Sequence, residues 1–169
     1  MTGRVAEAWR RLVSAGELKP DPDQQAAVEA LDRFLGGSAG GGGLLARVFG
    51  RQRRGGGVYL WGGVGRGKSM LLDLSYGVHP SPRKRRVHFH AFMLEVHERL
   101  RAARQSGEGD PVIHVAKDIA DELDALFFDE MMVTNPADAM IMSRLFTALL
   151  DRGVGIVTTS NRPPGDLYK

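Results

Sequence analysis

The chain has 169 residues, 43% hydrophobic and 25% charged, with a formal net charge of +3 and no cysteine. These values fit one globular domain and exclude a disulfide framework, a thiolate nucleophile and a thiolate metal site. No apolar stretch reaches the roughly 20 residues that span a bilayer, and so mild a charge points by itself neither to nucleic acid nor to a membrane. The opening MTGRVAEAWRRLVSAG lacks the apolar core of a secretory signal, and Glu7 with few serines argues against a transit peptide.

Val5, Trp9, Leu12 and Val13 fall on one face of a first helix. Lys19, Pro20, Asp21 and Pro22 break it; Asp21 then caps a second helix, with Pro22 in its first turn and Gln24 placed for a capping box. Ala27, Val28, Leu31, Phe34 and Leu35 form its apolar face. GGSAGGGG, residues 36–43, reads as a flexible linker, and a short LLARVFGRQRR piece and more glycine follow. Residues 1–54 are therefore expected to be an N-terminal helical segment with a glycine-rich linker, and residues 55–169 a partial α/β domain. There the texture alternates. Residues 58–61 are a strand, and a helix with Met70, Leu71, Leu72 and Leu74 follows Lys68. RVHFHA, 86–91, is a second strand, and 92–104 a helix with Met93, Val96 and Leu100 inward. After a QSGEGDP loop, 115–123 are helical and 125–128 form a third, buried strand. Pro136 starts a long helix whose Met140, Ile141, Leu145, Phe146 and Leu149 face a core; Gly153 ends it, and 154–159 are a fourth strand. Such alternation predicts an α/β fold with a parallel sheet covered on both faces.

Gly62, Gly63, Val64, Gly65, Arg66, Gly67, Lys68 and Ser69 match G-x-x-x-x-G-K-[ST] without a gap. The composition has a chemical reason. Backbone N–H groups must wrap a di- or triphosphate at close range, in dihedrals that glycine permits. The N-terminus of the next helix adds partial positive charge. Lys68 reaches the β and γ phosphates, and the Ser69 hydroxyl binds Mg2+. A glycine-rich turn with an incidental lysine is the plain alternative; the strand before it and the helix after it favour phosphate.

Asp129 and Glu130 close the third strand. Sites in parallel α/β sheets lie at the carboxyl ends of strands. There Asp129 would hold Mg2+, directly or through water, and Glu130 would polarise the attacking water. Acids also begin loops with no function, so the pair gains its meaning from the glycine-rich loop. Thr158, Thr159, Ser160 and Asn161 end the fourth strand. One of them, Asn161 first, would reach the γ-phosphate or the water; equally, the strand simply exits through an Asn-Arg-Pro-Pro turn. No N-K-x-D segment signals guanine, which favours ATP over GTP. A kinase remains open, but a glutamate directly after the metal aspartate suits water better than an acceptor.

His88 and His90, two apart on a strand, raise a zinc site completed by His97, Glu95 or His114; polar residues on an edge strand are the simpler reading. Arg83, Lys84, Arg85 and Arg86 form a basic run. A nucleic acid or anionic lipid would suit it, but no stacking aromatics interleave, and a solvated loop before a strand is the simpler account.

With these residues in view, the chain resembles the ZapE family of cell-division ATPases and their mitochondrial lactation-elevated relatives, a branch of the AAA+ P-loop ATPases. DPDQQAAVEALDRF, YLWGGVGRGKSMLLDL, KRRVHFHAFMLEVHERL, LFFDE, DAMIMSRLFTALLDRGV and TTSNRPPGDLYK carry the resemblance, and KRRVHFHAFM is its most specific part. It implies a three-layer AAA+ sandwich. It also implies ATP on residues 62–69, Mg2+ on Ser69 and Asp129, Glu130 as catalytic base, Lys68 on the phosphates, Asn161 as sensor, and Gln24 and Gln25 near the adenine. It implies cytoplasmic action on the FtsZ ring at the division septum, peripheral to the inner membrane, by a possible homo-oligomer with no nucleic-acid partner.

Met131, Met132, Asn135 and Pro136 depart from the family pattern after LFFDE, and Ser75 stands where a large apolar residue is usual. The family pattern continues beyond DLYK. With sheet order 5-1-4-3-2, the four strands here are strands 1 to 4. The fifth strand, the arginine that acts on a neighbour's ATP and the helical lid are expected outside these residues. An arginine finger contributes ~10³–10⁵ in rate. The 169 residues are therefore expected to bind nucleotide and to hydrolyse it slowly or not at all. The alternative is a non-catalytic nucleotide-binding or interaction fragment.

Overall fold

A computed structural model describes residues 3–39, 55–65, 67–107 and 109–164, the side chains of 37–39 excepted. Two helices, α1 (Arg4–Ser14) and α2 (Pro22–Ala39), precede β1 (Gly57–Trp61) and α3 (Lys68–Val78). Then come β2 (Lys84–His88), α4 (Phe89–Ser106), α5 (Pro111–Glu122), β3 (Ala125–Asp129), α6 (Pro136–Asp151) and β4 (Gly155–Ser160). All three pairings are parallel, in the order β1-β4-β3-β2. The expected arrangement of the first four strands is present, with β1 and β2 at the edges.

Two clusters sandwich the sheet. On one face Val5, Val28, Leu31, Phe34, Leu71 and Leu72 of α1 to α3 pack on Leu60, Ala125, Phe127 and Val157. On the other, Phe89, Phe92, Met93, Val96, Ile119, Leu145 and Leu149 of α4 to α6 pack on Leu126, Phe128 and Ile156. Strand alternation sorts the residues: odd positions of β3 serve the first cluster, even positions the second. The N-terminal helices thus share a core with the sheet. Asp32 holds α1 in place, its two carboxylate oxygens accepting from Val5 N–H at 2.8 Å and Ala6 N–H at 3.0 Å.

Several boundaries differ from expectation. Helix α2 runs through Ala39, so residues 36–39 of the expected linker are helical; residues 40–54 lie outside the described ones. Asp21 caps α2, its Oδ1 accepting from Asp23 N–H at 2.9 Å, and Gln24 Oε1 accepts from Trp9 Nε1 of α1. The second strand starts two residues early, at Lys84, and stops at His88. Lys84 Nζ is anchored to the carbonyls of Tyr76 (2.6 Å) and His79 (3.1 Å), which ties the strand's start to the end of α3. Phe89, Phe92, Met93 and Val96 already follow the helical period, which claims His90 and Ala91 for α4. On α6, Met140 is 69% exposed and Met142 is buried in its place, because 142, 145 and 149 keep one helical face. Asn135 caps that helix, its Oδ1 accepting from Ala137 N–H at 2.9 Å ahead of Pro136. Ser75 is fully buried and returns its hydroxyl to the Leu72 carbonyl at 2.8 Å.

Candidate functional site

The glycine-rich loop joins β1 to α3 at the carboxyl end of the sheet. Gly65 (φ 80°) and Gly67 (φ 77°) adopt left-handed backbone, and Gly67 is the N-cap of α3. Gly63 and Gly65 face open space, where even a Cβ would meet nothing within 4 Å. Lys68 Nζ lies across the loop, donating to the carbonyls of Gly62 at 2.8 Å and Gly63 at 2.7 Å. Val64 is exposed; Arg66 lies outside the described residues. Gln24 Oε1 accepts from Trp9 Nε1 at 3.2 Å, and its Nε2 sits where a Cβ on Gly67 would approach within 3.2 Å. Gln25 turns away and lines a cavity of about 770 Å³ between α1 and α2, with Trp9 and Val28.

The carboxylate end of β3 meets this loop. Asp129 is 6% exposed. Its Oδ1 accepts from Ser69 Oγ at 3.1 Å and Thr159 Oγ1 at 2.8 Å, and its Oδ2 from Arg86 at 2.9 Å. Glu130 is exposed, with φ 55° on a non-glycine residue. That turn lets its N–H donate to Thr159 Oγ1 at 3.0 Å. One hydroxyl of β4 therefore holds the Asp129 carboxylate and the Glu130 backbone. Met131 N–H continues to the Thr159 carbonyl at 2.7 Å, and Ser160 Oγ donates to the Met131 carbonyl at 2.8 Å. Asn161 is exposed just past β4, and Thr158 belongs to the opposite face, level with Phe128.

The structure brings together Lys68, Ser69, Asp129 and Glu130 and leaves Asn161 at the rim. Sequence reasoning missed Thr159 as the residue that ties the acids, and Arg86 as a partner of Asp129. Strand parity was the available signal for Thr159: it shares its face with Val157, as Asp129 does with Phe127.

The histidines do not share a strand face. His88 ends β2 and His90 lies on α4. His97 Nε2 pairs with Asp138 at 2.8 Å, and His114 with Asp118 at 3.5 Å. Among the described residues no group of three or more His, Cys, Asp or Glu side chains stands ready for a metal ion. The basic run is mostly strand and internally paired: Arg83 with Asp124, Arg85 with Glu95 at 2.7 Å, Arg86 with Asp73 and Asp129. Arg85 beside Glu95 holds that carboxyl below its ordinary range. No described helix is long and apolar enough to cross a membrane.

A family model described as AFG1-like ATPase matches residues 4–169. Cell division protein ZapE of Escherichia coli K12 is 50% identical over 113 residues, which is 67% of this chain and 30% of that protein. Lactation elevated protein 1 homolog B of Danio rerio is 48% identical, over 67% of this chain and 24% of its own length. The chain thus spans under a third of these relatives. Among solved structures, AMPPCP-bound DnaA from Aquifex aeolicus superposes with a TM-score of 0.58 at 18% identity, covering 89% of this chain and 42% of that one. Domain III of Thermotoga maritima DnaA gives 0.53 at 20% identity, covering 89% and 57%. At such identities the likeness carries the fold alone, a parallel α/β sheet with helices on both faces.

Proposed function

The chain belongs to the AFG1-like ATPase family, and on that premise we propose that residues 62–69 bind the phosphates of ATP, with Mg2+ held by Ser69 and Asp129. One observation carries the reading: Ser69 Oγ, on the helix that opens after the loop, lies 3.1 Å from Asp129 Oδ1, at the end of β3. A hydroxyl and a buried carboxylate are hard oxygen donors, and they fit Mg2+. When bound, the ion offsets charge on the β and γ phosphates.

The remaining roles follow from position. Lys68 exchanges the Gly62 and Gly63 carbonyls for phosphate oxygens, which are stronger partners for an ammonium. Glu130, exposed at the mouth and held by its backbone bond to Thr159, orients and deprotonates the attacking water. Asn161 senses the γ-phosphate from the rim, and Gln24 lies on the adenine side. Residues 55–169 form the catalytic layer, and the helices of residues 1–54 brace its loop face. In the whole protein we infer ATP hydrolysis coupled to cell division, with the FtsZ ring as partner, at the cytoplasmic side of the septum and in an oligomer. The name of the Escherichia coli relative supports division.

Titration with a fluorescent ATP analogue, with and without Mg2+, tests the site. Binding to this chain should be lost in Lys68→Ala. In the full-length protein, Glu130→Gln should keep binding and lower phosphate release by ~10²–10⁴-fold, the span of general base catalysis. Unchanged binding in Lys68→Ala would end the phosphate assignment; binding without turnover in the intact full-length protein would end the hydrolytic one. Failure of that protein to co-sediment with FtsZ polymers would end the division-ring assignment.

A further inference from the structure

Asp129 has a partner that phosphate binding does not call for. Arg86 pairs with Phe127 across β2 and β3, so its side chain emerges on the α1–α3 face, one step behind Asp129. Its guanidinium lies between carboxylates from two elements. Arg86 donates to Asp129 Oδ2 at 2.9 Å, and its Nε stands 2.7 Å from Asp73 Oδ1 of α3. The second contact is an ion pair without an aligned hydrogen bond. Since Ser69 and Thr159 take Oδ1, both oxygens of Asp129 are engaged from within the chain. The Asp129 side chain is only 8% exposed, so its pairing with Arg86 is weakly screened by salt.

We propose that Arg86 is a positioning residue that reserves Asp129 for Mg2+ arriving with nucleotide and keeps out the bare ion. The argument rests on the ATP reading above. Arg86 sits between Asp73 and Asp129 and offsets part of the negative charge that these two carboxylates, with the exposed Glu130 beside them, would offer a free divalent ion. The ion must also displace a guanidinium from Oδ2. A nucleotide brings phosphates, which draw Lys68 away and supply the missing negative charge. Arg86 thereby links the metal carboxylate to α3, the helix that begins at the phosphate loop, and holds the carboxylate oriented before the ion comes.

The test is a thermal-unfolding titration with MgCl2 at constant ionic strength and without nucleotide, run beside binding of the fluorescent ATP analogue. The wild-type chain should show no Mg2+-dependent shift at millimolar concentration. Arg86→Gln should gain one, with bare-ion affinity roughly tenfold tighter or more, because a full counter-charge beside the carboxylate is gone. It should also need more Mg2+ to reach half-maximal nucleotide binding, because Asp129 is no longer oriented. Arg86→Lys, which keeps the charge but spans only one carboxylate, should lie between the two. If Arg86→Gln does not fold, the lysine variant decides: a bare-ion response there and none in wild type supports the proposal, and no response in either overturns it. Wild type responding as strongly as Arg86→Gln overturns it as well. Nucleotide binding that is normal while Arg86→Gln matches wild type sinks this inference alone. No nucleotide binding in wild type, under any Mg2+, sinks the ATP reading beneath it.

Discussion

The two faces of the sheet do different work, and adjacent phenylalanines show how. Phe128 points to α4–α6 and meets three aromatic rings, those of Phe92 (4.7 Å), Phe146 (5.5 Å) and Phe89 (6.0 Å). Phe127 points to α1–α3 and meets Tyr76 (5.3 Å), His79 (5.7 Å) and Phe34 (6.4 Å). The first face stays apolar to the last inward residue of β3, Phe128, and carries the hydroxyls of Thr158 and Ser160 only on β4. The second turns polar where Phe127 gives way to Asp129, Val157 to Thr159 and, on β2, Arg86 enters. A dry face fixes the strands; the opposite face spends its last row on charged and hydroxyl groups that a dry core would not tolerate unpaired.

That contrast can be broken at its centre. Phe128→Ala should cost about 3–5 kcal/mol, the range for emptying a packed aromatic site. Denaturant unfolding measures this, and nucleotide affinity of the folded fraction should stay within about twofold. Phe127→Ala should lose both stability and affinity, since Asp129 shares its face; equal affinity losses in the two variants would erase the distinction.

A smaller effect is sharper in pH. Burial pushes His79 below its ordinary 6.5, with the charge of Lys84 acting the same way. A histidine with a lowered folded pKa contributes fully above 6.5, and stability falls as the unfolded chain takes up protons below it. Unfolding curves from pH 8 to 5 should show that acid-side loss, and His79→Gln should flatten it. The smallest expected effect sits on the dry face. Thr158 Oγ1 is buried without a hydrogen-bond partner. Thr158→Val should be neutral or stabilising by up to about 1 kcal/mol in a thermal melt; a clear loss would mean that the hydroxyl has a role on that face.

Much of this was legible beforehand. The loop glycines, Lys68 and Ser69 stand in an ungapped motif between a strand and a helix, and Asp129 closes an apolar run. Both signals are local, and local signals survive translation into a fold. What escaped is tertiary. Four cations in a row, 83–86, look like a solvated loop until Asp73, Glu95, Asp124 and Asp129, distant in sequence, are seen to neutralise three of them. Gln24 fits a capping box by spacing, and no local signal shows that its carbonyl oxygen also accepts from Trp9 on another helix. Met140 and Met142 are indistinguishable by hydrophobicity and differ only in which helical row meets the sheet. The β2 boundary failed because RVHFHA alternates well enough for a strand, while the packing of Phe89 begins a helix.

The alternation that sorts Phe127 from Phe128 also gives the sheet something like a reading frame, with codons of two. Deleting one residue inside β3 would send Asp129 into the aromatic nest and carry Phe128 to the loop face, while deleting two would keep every survivor on its own side. An engineer shortening these strands, or a lineage drifting through small indels, would find even steps tolerable and odd steps ruinous.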